Sequence, residues 1–272
     1  MQPTSPILRA SALTLSLLLA AGAAQAQTTV DQAKAQAGGV TPGDWPGFPI
    51  TIDKPGSYVL TGNLDVPFHM NAFVINADNV TLDLNGFEVR SSGVCTRDAN
   101  NNGWVSCNSA SASGQQLISF SGIDVNGSNT VIRNGTIAGF RGHGVYGPAG
   151  GLWLDGLRIR HNRHNGVQMM GSGNRVTDTD LQLNKENGIL GVRVLVDGVT
   201  ARENGDHGMQ LSHSLVSRSM ATHNRISGLH GSPSTDSPTS VRHSQFQANV
   251  GPAEVSGTIV SGGGNLSNAS AF

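Results

Sequence analysis

The sequence predicts an all-β solenoid, a parallel β-helix, and three observations predict it. A glycine followed by an apolar residue recurs at Gly122, Gly144, Gly166, Gly188, Gly208 and Gly228, at steps of 22, 22, 22, 20 and 20 residues. Between these glycines apolar and polar residues alternate in short runs, as in "LWLDGLRIR" and "RVLVDGVTA", which is the two-residue period of strands. Leucine-rich and ankyrin repeats need a helical segment in every unit, and none is visible here.

The columns of the repeat define the elements. Twelve residues before each glycine stand Ile132, Leu154, Val176, Val196 and Val216, and seven before stand Ile137, Ile159, Leu181, Ala201 and Ala221. With the apolar residue after the glycine, each unit turns three positions inward. Four before the glycine the column reads Phe140, Asn162, Asn184, Asn204 and Asn224. Three short strands per unit stack at roughly 4.8 Å, and aligned asparagines hydrogen-bond along such a stack as amide ladders.

The ends and insertions follow from composition. Residues 1–26 read as a signal peptide, with a short start carrying Arg9, an apolar run around Leu17-Leu18-Leu19 and the small-x-small site Ala24-Gln25-Ala26. The mature chain is then secreted or periplasmic, with no membrane span once that segment is removed. Residues 27–48, with "VDQAKAQAGG", are expected to plug the open end as a short helix or strand, because an uncapped coil exposes unpaired edges. Residues 49–272 form the β-helix domain, with an insertion at 91–118. Cys95 and Cys107 lie in that insertion, and an oxidising compartment favours their disulfide over two free thiols. The charges nearly cancel, 17 basic against 18 acidic residues, so bulk electrostatics gives no case for nucleic acid.

"KPGSYVLTGNL" (Lys54 to Leu64), "NVTLDLNGFEV" (Asn79 to Val89) and "NTVIRNGTIAGF" (Asn129 to Phe140), followed by the Asn-x-x-x-Gly-apolar units, resemble right-handed parallel β-helix proteins of the pectin-lyase-like superfamily. The resemblance spans about Pro49 to Val260. It implies a single-stranded right-handed parallel β-helix of about nine coils with an N-terminal cap. It also implies an asparagine ladder between the second and third strands and an active site outside the first. Superfamily members include polysaccharide lyases, hydrolases and epimerases, and others without known catalysis, so the fold does not fix the activity.

Carried over by phase, the outer surface of the first strand reads Asp83, Arg133, Asp155, Arg175 and Asp197, with Trp153 beside Asp155. Arg133 and Arg175 are the candidate clamps for a uronate carboxylate, and Asp155 completes the proposed catalytic set for β-elimination or epimerisation. Trp153, Asp83 and Asp197 are candidate substrate contacts. The plainer reading of the column is a salt-bridged stack of opposite charges on neighbouring strands. A second candidate contact is the asparagine turn, with Arg141, Arg163 and Lys185 at one phase and His164 and Glu186 at the next.

No metal or cofactor is expected. Aspartates two coils apart are separated by roughly 9.6 Å, too far to share a calcium ion whose ligands lie about 2.4 Å away. Asp98 in the insertion is the remaining candidate ligand. His161 and His223, like His143 and His207, stand three coils apart and read as solvated turn residues. "GHGVYG" (Gly142 to Gly147) matches a dinucleotide-binding pattern only formally, since no helix follows.

Two functional readings follow. One is a secreted protein that recognises an acidic polysaccharide, with processing by elimination or epimerisation as an optional further step. The other is a non-catalytic surface or matrix solenoid that presents its loops to a partner. A groove beside Asp155 and Arg175, walled by the cysteine loop, would favour the first, and a flat solvated face the second.

Overall fold

The computed structural model describes residues 27–108, 120–234, 236, 238–268 and 270–272. The signal peptide reading of residues 1–26 and the end of the insertion at 109–118 lie outside the described residues. Nine coils stack in one chain, each with three strands (third, first and second face in chain order). The third face is a nine-stranded parallel sheet running from Ile50–Ile52 through Phe73–Ile75, Ile123–Val125, Val145–Gly147, Val167–Met169, Ile189–Val192, Met209–Ser212 and Leu229–Gly231 to Val255–Ser256. The first and second faces share the other large sheet, where Val131–Ala138 and Trp153–Arg160 each bend across both faces.

Side-chain alternation makes the core. Ile132, Leu154, Val176, Val196 and Val216 are paired in register along the first face and are all fully buried. The inward columns of the other two faces, Ile137 to Ala221 and Ile123 to Leu229, are equally closed to solvent. Each buried aliphatic side chain is worth about 1.5–3 kcal/mol against exposure, so the continuous column supplies the cohesion that a single coil lacks.

Polar ladders flank the core. The Asn162 amide nitrogen Nδ2 donates to Asn184 Oδ1 at 3.0 Å, and the pattern repeats from Asn184 to Asn204 (3.1 Å), Asn204 to Asn224 (3.0 Å) and Asn224 to Asn249 (2.9 Å). Each of these carbonyls also accepts the backbone N–H of the preceding coil's asparagine. Phe140, at the head of the column, joins through its own N–H. The ladder thus runs one rung past Asn224, to an Asn249 whose coil is 25 residues from its neighbour.

The glycine column has a different cause from a turn. A side chain at Gly144, Gly188 or Gly208 would put its Cβ 2.5–2.7 Å from the carbonyl oxygen of the next coil's glycine. Gly166 is similarly hemmed in, 2.8 Å from the Gly188 carbonyl and from the Asn184 amide. None of the four lies in the left-handed region. Close approach between coils is therefore what requires glycine.

The cap joins a strand to a helix. Thr28–Val30 extends the first face by pairing with Tyr58–Leu60 of the first coil. The helix Gln32–Ala37 follows, its first turn capped by Asp31, whose side chain accepts the Lys34 N–H at 2.7 Å.

Candidate functional site

The first face presents its predicted residues in two columns. Asp83, Arg133, Asp155, Thr177, Asp197, Ser217 and Arg242 are aligned coil by coil, and beside them run Thr81, Val131, Trp153, Arg175, Leu195, Leu215 and Ser240. Alternation along a strand places both columns outside, on either side of the buried one.

These residues are partly satisfied by one another. Arg133 Nε donates to Asp83 Oδ2 at 2.9 Å, while no ion pair joins Arg133 to Asp155. The opposite-charge stack is therefore real at one step and absent at the next. Asp155 instead accepts the Thr177 hydroxyl, and that hydroxyl oxygen accepts the Trp153 indole N–H at 2.8 Å. The Arg175 guanidinium lies 5.5 Å from the Trp153 ring centroid, a cation–π pair, with the indole 38% exposed. Asp197 is gripped by Arg218 bidentately through Nε and Nη2 and by the Ser217 hydroxyl. That pairing, with Arg218 the main cause, holds the Asp197 carboxyl down to about 2.

Two open hollows lie on this face toward the C-terminus. One of about 550 Å³ has Leu195, Leu215 and Ser240 on its floor and Arg193, His213 and Pro238 at its rim. The other, about 310 Å³, is lined by Asp197, Ser217, Arg218, Arg242 and His243. The sequence reading did not single out Arg193, His213, Arg218, Arg242 or His243. Their signal was available in the phase, since Arg193 and His213 each stand five residues after a repeat glycine, at the corner that leads into the first strand.

The asparagine-turn residues scatter their contacts. Arg141 donates to His69 Nδ1 at 2.9 Å, His164 Nδ1 lies 2.8 Å from Glu186 Oε1, and Lys185 is exposed while Arg163 is half-buried. Burial is the largest single influence on the Glu186 carboxyl and raises it, but the hydrogen bond and charge of His164, with His143 and Lys185, together outweigh burial and hold the carboxyl below its ordinary value. One coil on, Asp206 is pushed up by burial first and by Glu186, with Arg225 opposing.

Three of the turn histidines, His143, His161 and His207, depart from the solvated role expected of them, while His223 is exposed as expected. His143 Nδ1 accepts the Asn165 N–H at 3.2 Å, Asn165 Oδ1 accepts the Asn187 N–H at 3.0 Å, and Asn187 Oδ1 accepts the His207 N–H at 3.1 Å. They are rungs of a second ladder, one position before the glycine column. His161, left-handed at φ 59°, is half-buried, with Nδ1 3.0 Å from the Cys95 carbonyl.

The Cys95–Cys107 disulfide is formed, and it closes an antiparallel hairpin of Cys95–Asp98 and Trp104–Cys107. The hairpin lies on the asparagine-turn edge, where it meets His161, Gly205 and Arg225. It therefore does not wall the Asp155 and Arg175 region, because it leaves the solenoid at the edge where the second face turns into the third. Among the described residues no group of three or more His, Cys, Asp or Glu side chains converges to hold a metal ion, and no helix is long and apolar enough to cross a membrane.

Nine stacked coils with an inner asparagine ladder define a class, and the sequence confirms it. Residues 121–271 match the family described as the right handed beta helix region, more than half of the chain, and the chain belongs to that family. No curated protein matches the sequence. Among solved structures, the periplasmic alginate epimerase AlgG is similar at 13% identity and a TM-score of 0.49, covering 76% of this chain and 50% of that one. The Dettilon tailspike protein (gp208) is similar at 12% identity and a TM-score of 0.42, covering 73% of this chain and 41% of that one. The chain thus spans about half the length, or less, of these two structures.

Proposed function

We propose that the chain is a secreted or periplasmic protein whose first face binds an acidic polysaccharide laid along the coil stack. The observation that carries this reading is the Trp153 and Arg175 pair, an indole platform with a guanidinium on it, followed toward the C-terminus by the hollow of Leu195, Leu215, Arg193 and His213. An aromatic ring takes the apolar face of a sugar and a guanidinium takes its carboxylate bidentately. The charge of the two hollows, five arginine or histidine side chains beyond Arg175 against the paired Asp197, favours an anionic ligand. The closed disulfide suits an oxidising compartment.

Processing by β-elimination or epimerisation rests on the same face. Asp155, with no cation paired to it among the described residues, would take the proton α to the uronate carboxylate, while Arg133 and Arg175 neutralise that carboxylate. One observation favours recognition without chemistry: among the described residues no hairpin wall encloses Asp155 to keep water from where the proton would move.

The test is incubation with alginate, polygalacturonate and glycosaminoglycans. Retardation of the protein by at least one of these polymers, lost in Arg175→Ala, is expected. A rise in the ultraviolet absorbance of unsaturated uronates would add elimination, and a change in the NMR spectrum of the polymer without that rise would add epimerisation. Absence of retardation with every polymer would sink the reading.

A further inference from the structure

In a solenoid each coil touches only the coils above and below it, so stability is close to a sum of neighbour terms. The hairpin departs from that rule. It leaves the second coil after Glu88–Arg90 and reaches down the asparagine-turn edge. Its closed end meets the fourth coil, where the Cys95 N–H lies 3.3 Å from His161 Nδ1 and the Cys95 sulfur 3.8 Å from the Asn162 carbonyl. Its turn end meets three more coils. Val105, 2% exposed, sits against Gly205 of the sixth, Trp104 stacks on Arg225 of the seventh at 4.6 Å, and Gly103 lies beside Val250 of the eighth. Arg225 also reaches Asp206 at 3.5 Å, so the stacked tryptophan is tied to two successive coils.

The sequence carries the footprint of this seat. Along the position after the ladder the chain reads Arg141, Arg163, Lys185, Gly205, Arg225, and the long side chain is missing where Val105 docks. A Cβ at Gly205 would lie 2.0 Å from the Lys185 carbonyl oxygen and 3.2 Å from the Val105 Cβ, so the backbone there leaves a bare step on the outer edge. A valine from a loop a hundred residues earlier fills it.

We infer that the hairpin is a disulfide-held strap that couples the fourth, sixth, seventh and eighth coils, and that reduction of Cys95–Cys107 uncouples them. A two-stranded ribbon alone is marginal in water, so the cross-link holds Trp104 and Val105 in register with their seats. The reductant is a dithiol. One of its thiolates attacks the more accessible Cys107 sulfur and expels the Cys95 thiolate. The second thiol then closes the reductant's own disulfide and releases Cys107, two electrons and two protons having passed to the protein.

Deuterium exchange on the full chain tests this, comparing the oxidised protein, the dithiothreitol-reduced protein and oxidised Val105→Asp, with thiol alkylation confirming complete reduction. Reduction is expected to speed exchange about tenfold or more in peptides carrying the Asn204–His207 and Arg225–Ser227 amides, the scale of losing one buried valine. Peptides of the first two coils should keep their rates. Val105→Asp, with its disulfide intact, is expected to reproduce the effect. Unchanged edge peptides on reduction would overturn the strap. Acceleration on reduction but not in Val105→Asp would overturn the seat of Val105 on Gly205 as the contact that carries the coupling.

Discussion

His143 Nδ1 takes the backbone N–H of Asn165 at 3.2 Å, at the position where the next two coils offer an asparagine carbonyl. Accepting that bond requires a deprotonated Nδ1, so the ladder and the charged imidazole exclude each other. Burial, reinforced by the neighbouring His164, holds the His143 imidazole down to about 4, and burial with His230 does the same for His207. In the unfolded chain both titrate near ~6.5. Between those values the unfolded chain binds more protons, so stability is full above about pH 6.5 and is lost as pH falls toward about 4. Melting temperature is therefore expected to drop across that window. The double variant His143→Asn, His207→Asn, which keeps a carbonyl acceptor for the Asn165 N–H and replaces both titrating imidazoles, is expected to drop less. Parallel curves for the two proteins would show that the acid sensitivity arises elsewhere.

Asn184 is fully buried and makes four ladder contacts. Its Oδ1 accepts from the Asn162 backbone and side chain, and its Nδ2 donates to the Ile159 carbonyl and to Asn204 Oδ1. Asn184→Ala strands several of these partners at about 1–3 kcal/mol each, and a loss of about 4 kcal/mol in urea denaturation is expected. Lys185→Ala, one residue away and exposed, should stay within ~0.5 kcal/mol. Equal midpoints for the two variants would show that the ladder is dispensable.

Two glycines should respond in opposite ways. At Gly188 a Cβ lands 2.5 Å from the Gly208 carbonyl oxygen and 3.3 Å from the Ala201 Cβ, so Gly188→Ala is expected to cost about 1–3 kcal/mol. Gly156 has φ +61° and open space around its Cβ, and the same corner one coil earlier is held by Asn134 at φ 60°. Gly156→Asn is therefore expected to be nearly neutral by thermal denaturation. A reversed ranking would mean that close approach between coils does not set the glycine column.

For the proposed ligand, Trp153→Ala and Arg175→Ala are each expected to weaken binding by about 10–100-fold, as losing a central aromatic or arginine anchor does. Raising the salt concentration should weaken wild type more than Arg175→Ala. Calorimetry with a retarding polymer reads both. If Lys185→Ala weakens binding while Arg175→Ala does not, the ligand lies on the asparagine-turn edge.

Most of the fold was legible because phase is a one-dimensional property. Leu154, Val176 and Val196 announce the core by recurring, and Asn162 to Asn224 announce the ladder in the same way. Two things were hidden. The meeting of Val105 with Gly205 depends on where a loop lies in space, and no periodicity records that. The part played by His143 depends on which of its nitrogens faces the coil, so a histidine standing in an asparagine's position reads as a break in the pattern. On the first face the column order was legible, but the side-chain choices were not: Arg133 turns to Asp83, and Asp155 turns to Thr177.

The parallel stacking of nine coils also makes the molecule a gauge of length. Eight intervals of about 4.8 Å give the first face a span of roughly 38 Å, and the part from Trp153 to Arg242 covers the fourth to the eighth coil. A ligand lying along that part gains contacts with each added sugar only until it overruns the last hollow. Affinity should then climb with oligosaccharide size and level off, at a size set by how many coils the chain has wound.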